Sequence, residues 1–174
     1  LVLLISYIFL IPDYTFAQDG RKYDAFFLDA ICQQEKGNLD AAFDLLTHCV
    51  EIDSTRSEAY FYLSRYYTYL KDKDKALAYS EKAAQLEPDN ETYQETLANN
   101  YISRGKYGRA IDAMERLYSM NSDREDVLSM LVQLYEQQAD YEGAVRTLSR
   151  LEILEGKSER LSVAKSELFT RKGD

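Results

Sequence analysis

Residues Ser57 to Asn90 read SEAYFYLSRYYTYLKDKDKALAYSEKAAQLEPDN, and the recurrence of their apolar and small side chains decides the fold. Tyr60, Leu63, Ser64, Tyr67 and Leu70 follow spacings of three and four, which gathers them into one stripe of an α-helix. Ala76, Leu77, Ser80, Ala83 and Ala84 form a second stripe, made mostly of small residues. Between the two, Lys71 to Lys75 (KDKDK) reads as a short solvated turn, with Asp74 placed to cap the next helix. The segment is therefore a helical hairpin.

Shifting the sequence by 34 residues superposes this block on three others without a gap, at 23–56, 91–124 and 125–158. A fixed period of this length marks a repeat architecture. Ala42, Ala76, Ala110 and Ala144 share one column, at the point where the second helix of a hairpin must come closest to the first. Small residues recur at Ala30, Ser64 and Ala98, with Val132 in the fourth block. Tyr67, Tyr101 and Tyr135 share a column in which the first block has Gln33, and Leu63, Leu97 and Leu131 one in which it has Asp29. Gly37 and Gly105 occupy equivalent turns, where a residue at positive φ is often required.

The second block, with Tyr60-x-x-Leu63-Ser64-x-x-Tyr67, Ala76-x-x-x-Ser80, Ala83 and Pro88, resembles the tetratricopeptide repeat. That pattern sets an aromatic residue, Leu-Gly, a tyrosine, an alanine, a phenylalanine and a final proline at those spacings. The closing proline survives only as Pro88, being replaced by Ser54, Ser122 and Gly156, and the first block is the weakest match. The resemblance covers 23–174 and implies an all-α, right-handed superhelix of antiparallel hairpins, whose concave groove is lined by first helices. Residues 159–174 repeat the start of a block, with Phe169 in the tyrosine column and Gly173 in the turn column. Lys165 replaces the column leucine, so the segment reads either as a capping helix or as the first helix of a fifth repeat in a longer array.

Composition narrows the function. The chain of 174 residues has a formal net charge of −9, which removes the electrostatic attraction to phosphate backbones and with it nucleic acid as a partner. With one histidine and two cysteines, no cluster of soft ligands for a metal can be assembled, and no glycine-rich phosphate loop exists among seven glycines. His48 has no nucleophile motif beside it and reads as a surface residue. The expectation is a protein that is not an enzyme and needs no cofactor. Cys32 and Cys49 fall on the two helices of the first hairpin, leaving two readings: an intra-repeat disulfide, or two thiols packed as small apolar groups. Cys49 shares its column with Ala83, Leu117 and Leu151, which favours packed thiols.

Leu1 to Ile11 (LVLLISYIFLI) is apolar but too short to span a bilayer, and Pro12 and Thr15-Phe16-Ala17 follow it before Gln18. Residues 1–17 read as a secretory signal peptide cleaved after Ala17, against the alternatives of an uncleaved anchor or a buried first helix. With an uncleaved anchor, this segment would be the chain's only membrane contact. The expected setting is a bacterial periplasm or cell envelope. The initiator Met and a basic leading region are missing, so the chain is read as an N-terminal fragment of a longer protein.

At 100° per residue, Phe61, Tyr62, Arg65 and Tyr69 point away from the core stripe of the second block. The equivalent positions include Phe27 and Ile31 in the first block and Asn99 in the third, so the groove is apolar and aromatic at its N-terminal end and polar beyond. Exposed aromatics beside an arginine have the composition of binding hot spots. Phe27, Ile31, Phe61, Tyr62, Arg65, Tyr69 and Asn99 are the expected partner-binding residues, receiving an apolar segment of a protein or peptide. Cover by the residues near Gln18, by a further N-terminal helix, or by self-association are the competing readings. Tetratricopeptide co-chaperones that hold a C-terminal carboxylate use lysine and asparagine clamps, and here only Asn99 resembles one. The sequence thus reads as a non-catalytic scaffold, with the recognition arm of a larger enzyme or sensor, catalytic beyond residue 174, as the alternative.

Overall fold

The computed structural model describes residues 11–173. It contains α1 (Ile11–Glu35), α2 (Leu39–Ile52), α3 (Ser57–Tyr69), α4 (Lys73–Leu86), α5 (Glu91–Ser103), α6 (Tyr107–Met120), α7 (Glu125–Gln137), α8 (Tyr141–Glu155) and α9 (Glu159–Lys172). Among the described residues there is no strand. Most of the apolar run Leu1 to Ile11, and so most of the proposed signal segment, lies outside the described residues. No described helix is long and apolar enough to cross a membrane.

The helices form two compact units that divide between Leu86 and Glu87. In the first, α1 packs on α2, α2 on α3 and α3 on α4. Its buried cluster is Tyr23, Ala30, Leu46, Cys49, Ala59 and Leu63. In the second, α5 pairs with α6 and α7 with α8, while α6 packs on α7 and α8 on α9. There Ala98, Ile111, Met114, Leu117, Leu128, Leu131, Leu148 and Leu151 are core residues.

The alanine column is buried at all four positions, Ala42, Ala76, Ala110 and Ala144, because a larger group would hold the paired helices apart. The turns repeat just as strictly. Gly37, Lys71, Gly105, Ala139 and Gly173 stand 34 residues apart, with φ of 80°, 61°, 68°, 55° and 91°. The amide three residues past the end of α1, α3, α5 and α7, the first helix of each hairpin, donates back to a carbonyl one turn inside: Asn38 to Gln33 at 2.9 Å, Asp72 to Tyr67 at 3.0 Å, Lys106 to Tyr101 at 2.9 Å and Asp140 to Tyr135 at 2.9 Å. This is the Schellman closure, which needs a left-handed residue whatever its side chain. Lys71 and Ala139 occupy the conformation at a steric cost that the glycines avoid.

One expectation is corrected, and one open alternative is decided. The helix after the KDKDK turn takes its capping oxygen from Asp72, whose Oδ1 accepts from the Lys75 amide at 3.1 Å; Asp74 falls inside the first turn. Asp140 does the same one pair of repeats later, accepting from the Gly143 amide at 2.9 Å. Both cysteines are free thiols, and Cys49 is buried with Sγ 3.8 Å from the Tyr23 carbonyl oxygen. Burial pushes the Cys49 thiol up to about 11.

Helix α9 is capped by Ser158, whose Oγ accepts from the Leu161 amide at 3.2 Å, and it buries Leu161 and Leu168. Lys165, the polar intruder on its buried stripe, is half-buried and sets its Nζ 2.7 Å from Glu152 Oε2 on α8. The substitution that breaks the leucine column therefore exchanges an apolar contact for an ion pair between helices.

Candidate functional site

The site is built on α3. Tyr60 and Tyr67 turn inward as the spacing predicts: both are buried, Tyr60 donates to the Ser54 carbonyl at 3.2 Å, and Tyr67 stacks on Tyr79 at 5.2 Å. Phe61, Arg65 and Tyr69 stand at i, i+4 and i+8 and share another face. The Arg65 guanidinium lies 5.7 Å from the centre of the Phe61 ring, and Tyr69 is 71% exposed.

Between these faces, α3 meets α1 and α2 around an open hollow of about 200 Å³, lined by Gln34, Leu39, Ala42, Leu46, Tyr62, Arg65, Tyr66 and Tyr69. Rings hold its walls in place. Phe27 stacks on Tyr23 at 5.9 Å and meets Tyr62 edge-on at 5.6 Å, and Phe61 meets Tyr62 at 5.3 Å. On the α2 side, Phe43 packs on Tyr66 at 4.6 Å and on Tyr67 at 5.6 Å. The Tyr66 hydroxyl donates to Asp40 Oδ1 at 3.1 Å, which fixes the ring at the rim.

Beneath Phe27, Tyr23 is fully buried, accepts the Ala59 amide at 3.2 Å and donates to Glu58 Oε2 at 3.4 Å. The Arg56 guanidinium sits 4.0 Å from the centre of its ring. Burial, reinforced by the Glu58 carboxylate, raises the Tyr23 hydroxyl far above the usual phenol range, so it stays a neutral structural donor.

Of the residues expected at the site, Tyr62, Arg65 and Tyr69 line this hollow. Phe27 and Tyr62 are both half-buried and pack against the core of the first unit, so they do not simply point away from it. Phe27 reaches the hollow only through Tyr62, and Phe61 carries Arg65. Ile31 is half-buried and is not among the lining residues. Asn99 belongs to the second unit, at a smaller hollow of about 120 Å³ beside Glu95, Arg124 and Asp126. Tyr66, Leu39 and Leu46 also line the hollow, although helical angle along one helix does not single them out. Their signal lies in the pairing of α2 with α3, which one helix cannot reveal.

The tetratricopeptide-repeat family matches this chain twice, at residues 57–90 and 101–166. The chain contains tetratricopeptide repeats. The matched segments cover the second hairpin and the run from the end of α5 into α9. Among solved structures, the repeats are similar to the crystal structure of MamA protein at 17% identity, over 88% of this chain and 84% of that one, with a TM-score of 0.71. A tetratricopeptide repeat protein from Parabacteroides merdae matches at 19% identity and a TM-score of 0.71, over 88% of this chain and 61% of that one. MamA from Desulfovibrio magneticus RS-1, residue 41 to its end, matches at 14% identity and a TM-score of 0.68, over 88% and 86% of the two chains. At such identities the likeness is one of tetratricopeptide fold. No curated protein matches the sequence.

Proposed function

We propose that these tetratricopeptide repeats form a non-catalytic interaction module that docks an apolar side chain of a partner peptide in the hollow between α1, α2 and α3. The observation that carries the reading is the hollow itself: about 200 Å³, walled by Tyr62, Tyr66, Leu39 and Leu46, with Arg65 and an exposed Tyr69 at its mouth. Sites for drug-sized ligands usually span about 300–1,000 Å³, so this one suits one or two side chains better than a cofactor. Aromatic and arginine residues around an apolar pocket are the usual anchors of a protein interface. Their stiff mutual packing lowers the ordering cost of binding.

We further infer that the module works outside the cytoplasm, in a bacterial periplasm or envelope, on the strength of the apolar Leu1 to Ile11 run followed by Thr15-Phe16-Ala17. Intact-mass analysis of the protein recovered from an envelope fraction tests this. A mature chain starting at Gln18 supports export, and an uncleaved cytoplasmic chain rejects it.

Affinity capture from a native extract, comparing the wild-type chain with Phe61→Ala and Tyr69→Ala, tests the docking reading. Both variants should keep their helical signal and lose the captured partner, with each truncation costing about 2 kcal/mol if the residue is a hot spot. Unchanged capture by folded variants would reject the hollow as the docking site.

A further inference from the structure

We propose that the hollow selects a peptide in which a large apolar side chain is followed or preceded within two residues by aspartate or glutamate, the carboxylate pairing with Arg65. The inference rests on the reading of the hollow as a docking site and adds the charge of its occupant.

Arg65 is the one charged residue among those lining the hollow. It is exposed, and among the described residues no carboxylate makes an ion pair with it. Several other arginines of the chain already hold carboxylates. Arg56 pairs with Asp24 and Glu58, Arg124 with Glu91, Glu95 and Asp126, and Arg150 with Glu115. The contrast is sharpest at Asn99, where the cation beside the smaller hollow, Arg124, already holds carboxylates at 2.6 Å and 3.2 Å. In a chain of net charge −9, a guanidinium left without an anion at the mouth of an apolar hollow is a complementary site for a partner's negative charge.

The kind of anion follows from the number of cations. Recognition of phosphorylated segments draws on clusters of arginine, whereas one planar guanidinium matches one carboxylate through paired N–H donors. The side of approach also follows. Asp40 holds the Tyr66 hydroxyl on the α2 rim and would repel an anion there. Phe61, Arg65 and Tyr69 define the opposite, open stripe. The apolar anchor enters between Tyr62 and Tyr66, and the acidic residue lies along that stripe.

Panning a phage-displayed dodecapeptide library on the immobilised full chain, on Arg65→Glu and on Tyr69→Ala tests the proposal, with circular dichroism as the check on folding. The wild type should enrich peptides with a large apolar residue within two positions of Asp or Glu. Arg65→Glu should lose that bias and favour Lys or Arg, and a selected acidic peptide should bind it at least fivefold more weakly. Its affinity for the wild type should fall as salt is raised. Apolar enrichment with no acidic bias, or an acidic bias unchanged by Arg65→Glu, overturns the pairing while leaving the docking site standing. Enrichment no greater on the wild type than on Tyr69→Ala overturns both.

Discussion

Gly143, in the first turn of α8, lies flat against the ring of Tyr135 on α7: a Cβ built on it would stand 2.5 Å from Tyr135 Cδ1 and 2.6 Å from Asp140 Oδ2. The ring has little room to retreat, because its hydroxyl sits 3.3 Å from Glu115 Oε1 and Glu115 is itself held by Arg150 at 2.8 and 2.9 Å. Glycine to alanine inside a helix ordinarily stabilises by about 1 kcal/mol. Here the clash and the disturbed Asp140 cap reverse the sign. Gly143→Ala should destabilise by about 1–3 kcal/mol, read as a lower midpoint in urea at unchanged slope.

The alanine column gives the most direct test of the helix packing. Ala76 and Ala110 are both buried between paired helices. Replacing either by leucine should overpack the pair and cost about 1–3 kcal/mol. An unchanged melting temperature would contradict the 34-residue register.

Lys71 and Ala139 adopt φ of 61° and 55° in turns where their repeat-mates are glycines. Relief of left-handed strain, worth about 1–2 kcal/mol, outweighs the backbone freedom that glycine adds to the unfolded chain. Lys71→Gly and Ala139→Gly should each raise stability by up to about 1 kcal/mol, measurable by chemical denaturation. Loss of stability in both would show that the turns are not strained.

The two thiols should differ in reactivity. Cys49 is buried and its thiol is raised from 9.0 to about 11, so under native conditions it is both inaccessible and protonated. Cys32 is only half-buried. Iodoacetamide followed by peptide mass mapping should modify Cys32 first and Cys49 only on unfolding. Because the folded value is the higher one, the stability linked to Cys49 is complete below about pH 9 and is lost as pH rises towards 11. Faster labelling of Cys49 would refute its place in the core.

By itself the sequence determined the hairpins, their 34-residue period, the register of the alanine column and the left-handed turns at Gly37 and Gly105, because each follows from residue spacing or from the backbone freedom of glycine. It also separated Tyr60 and Tyr67 from Phe61 and Tyr69, since the faces of a helix follow from residue spacing. Tertiary structure alone decided which of those faces encloses a space. Tyr66 joins Tyr62 at the hollow because α2 brings Leu39, Ala42 and Leu46 against α3, while Asn99 falls in a different unit from Arg65. Lys165 interrupts a stripe in the sequence, and only the fold sets Glu152 beside it; Arg65 is a partner-binding candidate in the sequence, and only the fold leaves it without an ion pair among the described residues. The physical reason is the same in each case. Spacing along one helix fixes the direction of a side chain, but what that side chain meets is supplied by another helix.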